Sequence, residues 1–199
     1  MRARSGRAAD LLAVGLGNPG AEFAHTRHNA GADAVALVAQ RHGVVLRSER
    51  GTSSRVAEVL DGDRRLALAI PLIYMNESGI ALAGLVRRYS IVSPSSLLVV
   101  HDELDLPVGV VRVKLGGGTA GHNGLKSAEH HLGTLEFVRV RIGIGKPPGR
   151  MTGTDYVLHR PSAAEAEGIA VAVERAADAV ELIFASGVGA GMSAVNAGG

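Results

Sequence analysis

The apolar positions of this chain form two kinds of pattern, and each kind predicts a different element. Short apolar or alternating runs predict strands, whereas apolar residues spaced three and four apart predict amphipathic helices. Strands are predicted over residues 11–16, 97–100, 110–115 and 137–144, and a hairpin joins residues 55–60 to residues 64–70. Helices are predicted from Ala30, over residues 77–89, after Asn123 to about Leu132, and from Ala163 to about Phe184.

Glycine and polar residues mark the ends of these elements. Asp61-Gly62-Asp63 stands between the two hairpin runs and is typical of a tight turn. Gly43 is a typical C-terminal stop for the first helix. Asn76 is expected to act as the N-cap of the second helix. The Pro/Gly-rich segment 145–160 is expected to be mobile.

Because strands and helices alternate, the chain is predicted to be a three-layer α/β domain. Its sheet is expected to be twisted, mixed and mostly parallel, with helices on both faces. The 199 residues are enough for one domain with a sizeable core. We expect that single domain to span residues 11–190, between a flexible N-terminal extension at 1–10 and a flexible Gly/Ala-rich tail at 191–199.

The composition narrows the chemistry. There is no cysteine, so disulfides, thiolate metal sites and a cysteine nucleophile are excluded. The formal charge is only +2, so a nucleic-acid surface would have to be a local patch. No stretch approaches the about 20 apolar residues of a membrane span. A basic start followed by an apolar run is typical of a signal peptide, but here the apolar run is interrupted at Asn18-Pro19. We therefore expect a cytoplasmic protein without a signal peptide.

The first predicted strand ends in a glycine-rich loop, Gly15-x-Gly17-x-x-Gly20, with the spacing of a dinucleotide-binding loop. A phosphate-binding loop needs free backbone N–H groups, and Pro19 removes one of them. We therefore expect the glycines to make a sharp turn at the C-terminal edge of the sheet, where ligands bind in open α/β sheets. Such a turn would present Asn18 and bring His28 over the same edge.

Polar residues follow the other predicted strands at equivalent places. Asn76, Asp102 and Asn123 each come after a strand or its connector, so one histidine, one aspartate and three asparagines are available at this edge. Asn76 could equally be only a helix cap. Alternation along a strand sends Asp102 to the opposite face from His101 and Glu103. This argues against a metal shared by those three residues and predicts that Asp102 alone points toward the site.

Five motifs together resemble bacterial peptidyl-tRNA hydrolases. They are GLGNPG…TRHNAG, YMNESG, VVHDELDLPVG, KLGGGTAGHNGLKS and RVRIGIGKPPGR, which run from about Leu11 to Asn196 in the order of that family. The resemblance implies a monomeric α/β hydrolase that needs no cofactor or metal. Such an enzyme cleaves the ester between a peptide, or an N-blocked aminoacyl group, and the 3′ ribose of tRNA, which returns tRNA from stalled translation.

The resemblance also implies roles for individual residues. His28 matches the catalytic histidine, Asp102 the aspartate that supports it, and Asn18 the residue that helps to tell N-blocked esters from free aminoacyl esters. Contacts with the substrate are implied for Phe23, Tyr74, Asn76, Asn123 and Asn29. Phe23 stands where most members have Tyr, Tyr74 where Phe is more common, and Thr119-Ala120 replaces a His/Glu-Gly pair.

Basic residues provide a candidate surface for tRNA. Arg139 and Arg141 alternate on one predicted strand and therefore share a face. A phosphate-binding patch could also include Lys114, Lys126, Lys146 and Arg150, although a solvated charged face explains any one of them equally well. The resemblance favours Lys114 and Arg141 as clamps near the acceptor end and 3′ CCA of tRNA. Such contacts recognise the phosphate backbone and weaken with salt.

The residues suit hydrolysis of an ester by an activated water. A neutral imidazole at His28 is a suitable general base near pH 7, and Asp102 would orient the ring and stabilise the imidazolium. We hypothesise that Asn76 donates to the oxyanion while Asn18 and Asn123 hold peptide and water. The alternatives are a non-catalytic RNA-binding relative, such as an organelle splicing factor of the same fold, and a nucleotide-dependent oxidoreductase, which Pro19 disfavours.

Overall fold

The structure is a computed structural model that describes residues 8–198. Seven strands among these residues form one sheet, in the spatial order β2-β3-β4-β1-β5-β7-β6. They are β1 Leu11–Gly15, β2 Arg47–Glu49, β3 Ser54–Asp61, β4 Arg64–Pro71, β5 Leu97–Glu103, β6 Val111–Leu115 and β7 Val138–Gly143.

The sheet is mixed and mostly parallel, as predicted. Its central strands β4, β1, β5 and β7 are parallel neighbours, while β3 and β6 run antiparallel to the strands beside them. β2 is antiparallel to β3 and therefore shares the direction of the central strands. The predicted hairpin is β3–β4, and its turn places Gly62 at φ 58°, a conformation that favours glycine.

Helices cover both faces of the sheet, which confirms the three layers. They are α1 Ala30–Arg41, α2 Ser78–Arg88, α3 Asn123–Leu132, α4 Gly153–Leu158, α5 Ala163–Ser186 and α6 Val188–Ala197. The apolar residues of β1 contribute to the hydrophobic cores on both faces of the sheet, because alternate side chains of a strand point to opposite faces. Leu11 and Ala13 pack toward α1 and α5, whereas Leu12 and Val14 pack toward α2 and α3.

The glycines after β1 allow backbone segments to touch. A Cβ on Gly15 would lie 2.3 Å from the carbonyl oxygen of Gly31, and a Cβ on Gly31 would lie 2.2 Å from that of Val100. Backbone donors near this loop are already engaged, since the Leu16 N–H binds the Val100 carbonyl and the Ala32 N–H binds the Leu16 carbonyl. The loop therefore brings β1, α1 and β5 into backbone contact.

Two local expectations were wrong, and one strand was missed. Asn76 is not the N-cap of α2, because it lies in the 3-10 turn Met75–Glu77 and Glu77 occupies the N-cap position. The segment expected to be mobile, 145–160, contains helix α4, with Thr152 accepting from the Asp155 N–H as its cap. The short edge strand β2 was not predicted at all.

Parts of the two ends that were expected to be flexible take part in regular structure. Residues 1–7 of the predicted extension lie outside the described residues, but Ala9 and Asp10 are paired: their N–H groups donate to the carbonyls of Tyr89 at 3.0 Å and Arg65 at 2.9 Å. At the other end, residues expected to form a flexible tail continue as α6 to Ala197. Within residues 8–198, no helix combines the length and the apolar character needed to cross a bilayer.

Helix α6 covers the free edge of β6. The carboxamide of Asn196 accepts from the Val113 N–H at 2.9 Å and donates to the Val113 carbonyl at 2.9 Å. One side chain thus replaces the neighbouring strand that this edge position lacks. Exposed strand edges are prone to pair with other chains, so the contact protects the edge as well as anchoring the helix.

We expect Asn196→Ala to lower the free energy of unfolding by about 1 to 1.5 kcal/mol, since two hydrogen bonds are lost and some helix propensity is regained. Urea denaturation followed by circular dichroism measures the change. Ser193→Ala on the exposed face of α6 is the matched control, with the propensity gain alone. Equal stability of the two variants would contradict the edge contact.

Candidate active site

A cavity of about 550 Å³ lies at the C-terminal edge of the central strands. Seven of the ten residues predicted from the sequence to be catalytic or to bind substrate line it: Asn18, Phe23, His28, Tyr74, Asn76, Asp102 and Asn123. Asn29, Lys114 and Arg141 are not among the residues that line it. The expectation that separate strand ends converge on one hollow is therefore met for the histidine, the aspartate and the three asparagines.

His28 and Asp102 form a buried hydrogen-bonded pair. His28 lies in the 3-10 turn Arg27–Asn29 that leads directly into α1, and Asp102 lies near the end of β5. The His28 Nδ1 is 2.8 Å from the Asp102 Oδ1, and the two residues are only 6% and 3% exposed. A carboxylate can only accept, so Nδ1 carries the proton and Nε2 is left as the basic nitrogen.

Burial and charge act in opposite directions on this pair. Burial lowers the pKa of His28, but the charge and the hydrogen bond of Asp102 raise it, and the net pKa lies above its ordinary 6.5. Burial raises the pKa of Asp102, but the charges and hydrogen bonds of His28 and His122 hold it well below its usual range. Asp102 therefore stays ionised and keeps His28 easily protonated.

A second histidine binds the same carboxylate oxygen, and the sequence reasoning missed it. The His122 Nε2 lies 3.0 Å from the Asp102 Oδ1. His122 is also the N-cap of α3, with its Nδ1 accepting from the backbone N–H groups of Gly124 and Leu125. The only signal in the sequence was its position directly before a predicted helix.

The cap fixes which nitrogen of His122 carries the proton. Because Nδ1 accepts two backbone N–H groups, the neutral ring must hold its proton on Nε2 and donate it to Asp102. His28, Asp102 and His122 offer ligand atoms within 4.8 Å of one another, a spacing that a metal ion could use. Ligation through the His122 Nε2 would require that proton to leave and the cap to break, so the arrangement fits a hydrogen-bonded triad better than a metal site.

His101 packs behind this triad as a neutral ring. Its Nδ1 lies 2.7 Å from the Asp102 carbonyl oxygen, and its ring centroid is 4.9 Å from that of His122. Burial is the main cause that lowers the pKa of His101 to about 3. His101 therefore supports the end of β5 without carrying charge.

Asn29 and Asn18 link the glycine loop to the next wall of the cavity. The Asn29 carboxamide accepts from the Asn18 N–H at 2.8 Å and donates to the Asn18 carbonyl at 3.0 Å. The Asn18 Oδ1 in turn accepts from the Met75 N–H at 2.8 Å. Asn29 thus holds the backbone of Asn18, and the side-chain NH₂ of Asn18 is the group left to face the cavity.

The mouth of the cavity is aromatic and polar. The rings of Phe23 and Tyr74 meet edge to face with their centroids 6.4 Å apart, and Tyr74 is 55% exposed. Asn76 and Asn123 are exposed at the rim, the latter as the first residue of α3. Rings and amides are thus available to an incoming substrate.

The prediction that Asp102 alone faces the site was wrong, because Glu103 and Leu104 also line the cavity. Glu103 is 7% exposed and lies 3.8 Å from the Arg141 guanidinium. The strand ends here, so the strict alternation used in that argument no longer applies. Arg141 therefore has an acidic neighbour beside the cavity.

Arg139 is not available to the expected phosphate-binding patch. Its side chain is buried and donates to the carbonyls of Gly117, Gly118 and Leu135, at 2.6 Å for Gly118. Arg139 consequently holds the glycine connector, residues 116–121, which joins β6 to α3. Lys114 packs along the same loop, where its Nζ would lie 2.1 Å from a Cβ on Gly117.

Comparisons with known proteins all find similarity to one family, over almost the full length of the chain. A model of the family described as peptidyl-tRNA hydrolase matches residues 12–199. The peptidyl-tRNA hydrolase of Mycobacterium tuberculosis is 45% identical over 190 residues, covering 96% of this chain and 99% of the relative, and that of Frankia alni is 49% identical over 177 residues, covering 89% of each. A crystal structure of peptidyl-tRNA hydrolase from Acinetobacter baumannii superposes with a TM-score of 0.87 at 35% identity, over 96% of this chain and 97% of that one.

We expect Asp102→Asn to bring the pKa of His28 from above 6.5 to below it, because burial then acts without the carboxylate charge. NMR titration of the histidine ring signals measures the pKa. Asp33→Asn is the control, since its carboxylate faces the exposed His25 at 3.3 Å. If the pKa of His28 stays high in Asp102→Asn, the pairing does not exist in solution.

We expect His122→Ala to cost about 1 to 2 kcal/mol of unfolding free energy through loss of the α3 cap. His122→Asn should recover this capping contribution, because asparagine is a good N-cap, but not the separate contribution of the hydrogen bond to Asp102, which it is too short to reach. Urea denaturation of both variants measures the difference. Equal losses in the two variants would contradict the capping role.

Proposed function

The chain belongs to the peptidyl-tRNA hydrolase family, and from that premise we propose how its own residues cleave the ester. The protein is an enzyme that hydrolyses the bond joining a peptide to tRNA. The observation that carries the proposed mechanism is the 2.8 Å contact between the His28 Nδ1 and the Asp102 Oδ1 beside the cavity. In the neutral ring it places the proton on Nδ1, so Nε2 is free to act as a base.

In the proposed reaction, His28 Nε2 takes one proton from a water as the water oxygen attacks the ester carbonyl carbon. The carbonyl electrons move to oxygen, which gives a tetrahedral oxyanion, and His28 becomes an imidazolium. The oxyanion then collapses, the bond to the ribose oxygen breaks, and that oxygen receives the proton from His28. Asp102 stabilises the imidazolium without taking the proton itself.

Amide groups around the cavity suit the oxyanion and the substrate. We assign the oxyanion donor to the Asn76 carboxamide and the holding of peptide and water to Asn18 and Asn123. All three line the same cavity as His28, which supports the assignment. Because the Asn18 Oδ1 is occupied by the Met75 N–H, Asn18 would act toward a peptide carbonyl as a donor.

The tRNA itself would be held outside the cavity. Phe23 and Tyr74 present rings at the mouth on which a base or a peptide side chain can stack. Lys114 and Arg141 are the proposed clamps on backbone phosphates near the acceptor end and 3′ CCA, and Asn29 acts indirectly by holding Asn18. A substrate made by ribosomes fits a cytoplasmic location, and one chain supplies all of these groups, which fits a monomer.

The non-catalytic RNA-binding alternative is not favoured. A relative that only binds RNA would have no need of a buried carboxylate that orients an imidazole with a free Nε2 beside a cavity. The glycine-loop oxidoreductase is disfavoured as well, because backbone amides near the loop bind carbonyl and carboxamide oxygens of this chain.

We expect His28→Ala to lower the kcat for hydrolysis of an N-blocked aminoacyl-tRNA by about 10²- to 10⁴-fold, the usual contribution of a general base. Release of tRNA is measured with chelator present and no cofactor added. The wild-type kcat/KM should fall as the pH drops through the raised pKa of His28, because only the neutral ring can accept a proton.

His25→Ala provides the matched control, since His25 is an exposed histidine three residues away. It should retain wild-type turnover and the same pH dependence. Near-normal turnover in His28→Ala would remove the mechanism, and a strict requirement for an added metal would replace it with another.

A further inference from the structure

A buried arginine joins the turn that carries His28 to helix α4, which forms another part of the cavity wall. Arg27 is 5% exposed, and its guanidinium donates to the carbonyls of Tyr156, His159 and Arg160 at 3.0 to 3.2 Å. Its backbone N–H also donates to the His159 carbonyl at 3.2 Å. These carbonyls stand at or just beyond the C-terminal end of α4, where a cation is favoured by the helix dipole.

A carboxylate on α5 completes the contact. The Glu165 Oε2 lies 2.6 Å from the second guanidinium nitrogen of Arg27, and the Glu165 Oε1 lies 2.8 Å from the Tyr156 hydroxyl. The guanidinium also lies over the Tyr156 ring, 4.0 Å from its centroid. Glu165 is itself fixed, because it accepts from the N–H and hydroxyl of Ser162 in the capping box of α5.

Helix α4 forms part of the cavity but is too short to hold its own position. Four of its residues line the cavity, and we call them the α4 wall: Gly153, Thr154, Val157 and Leu158. A helix of six residues is not stable in isolation, because nucleation is costly and few hydrogen bonds follow it. The chain before it is held at Gly145, whose N–H donates to the Leu106 carbonyl at 2.9 Å, and the Tyr156 hydroxyl lies 2.7 Å from the Ile144 carbonyl oxygen. The C-terminal end of α4 is the part that Arg27 contacts.

We propose that Arg27 is a positioning residue that holds the α4 wall against the bound substrate, through Glu165 and the carbonyls at the end of α4. The inference rests on the proposed function for its kinetic consequence, whereas the contact itself does not depend on it. Arginine suits this role because its rigid planar fork spreads five N–H donors over three nitrogens, whereas a lysine offers three donors from a single nitrogen. His28 follows Arg27 directly, so one turn would orient the base and anchor the α4 wall beside it.

The test compares Arg27→Lys with the wild-type chain by two measurements on the whole protein. Amide hydrogen exchange over residues 153–158, read by mass spectrometry, should become at least about tenfold faster, since α4 is stabilised by these tertiary contacts. On N-blocked aminoacyl-tRNA, KM should rise about tenfold while kcat stays within about threefold, the pattern of lost binding contacts. The pH at which kcat/KM falls on the acid side, which reports the pKa of His28, should not change.

Glu165→Gln keeps the size of the side chain and removes the charge, so the same changes should occur to a smaller degree even if Arg27→Lys folds poorly. Arg41→Lys is the matched control, because Arg41 also ties a helix to α5, through Glu174, Asp178 and Glu181, but on the exposed surface. It should alter neither the exchange of α4 nor KM.

Two results would overturn the proposal. One is unchanged exchange or unchanged KM in both Arg27→Lys and Glu165→Gln. The other is a fall in kcat with a shift in the pH at which kcat/KM falls on the acid side and intact protection of α4, which would mean that Arg27 acts through His28. A wild-type chain without hydrolase activity would refute the proposed function alone, because the exchange measurement would still report on the contact.

Discussion

The contact among three backbone segments, at Gly15, Gly31 and Val100, governs the geometry of the site. Neither glycine has room for a Cβ, so α1 begins directly against the ends of β1 and β5. Gly31 lies three residues after His28, and Val100 lies two residues before Asp102. Pressing these two backbones together therefore places an imidazole and a carboxylate within hydrogen-bond distance, although 74 positions separate them in the chain. A larger residue at either glycine would push α1 away and lengthen the bond on which general-base chemistry depends.

Asp102 then organises the second side of the cavity. It accepts hydrogen bonds from both His28 and His122, and His122 in turn caps the N-terminus of α3. The base, the carboxylate and the helix that carries Asn123 are thus one connected unit. Since a buried carboxylate is stable only when its lone pairs are satisfied, the two histidine donors also explain how the charge is tolerated there.

Two buried arginines hold the loops around this unit. Arg139 binds carbonyls of the glycine connector, and Arg27 binds carbonyls at the end of α4. Loops without regular hydrogen bonding leave carbonyls to be satisfied, and a guanidinium offers five donors to do so. In a protein that acts on tRNA, an arginine in the sequence suggests a phosphate ligand. The structure assigns both of these residues to the protein's own backbone instead.

The sequence predicted the helices and strands whose apolar residues recur at a clear helical or strand spacing. The hairpin and the helices α1, α2, α3 and α5 were predicted within a few residues, because amphipathic spacing and turn residues are local properties. The short elements β2 and α4 were not predicted, and the end of the chain was expected to be a flexible tail. Each of them is too short, or too rich in glycine and alanine, to show a period. Their stability comes from contacts such as those of Arg27 and Asn196, which no local pattern records.

The candidate site divides in the same way. The sequence by itself determined the chemistry available at the sheet edge, namely one imidazole, one carboxylate and three carboxamides after successive strands. Only the tertiary structure decided which groups meet: His122 with Asp102, Glu103 in the cavity wall, and Arg139 beneath a loop instead of at the surface. The physical reason is that residue type and strand position are set along the chain, whereas a hydrogen-bond partner is chosen by proximity after packing.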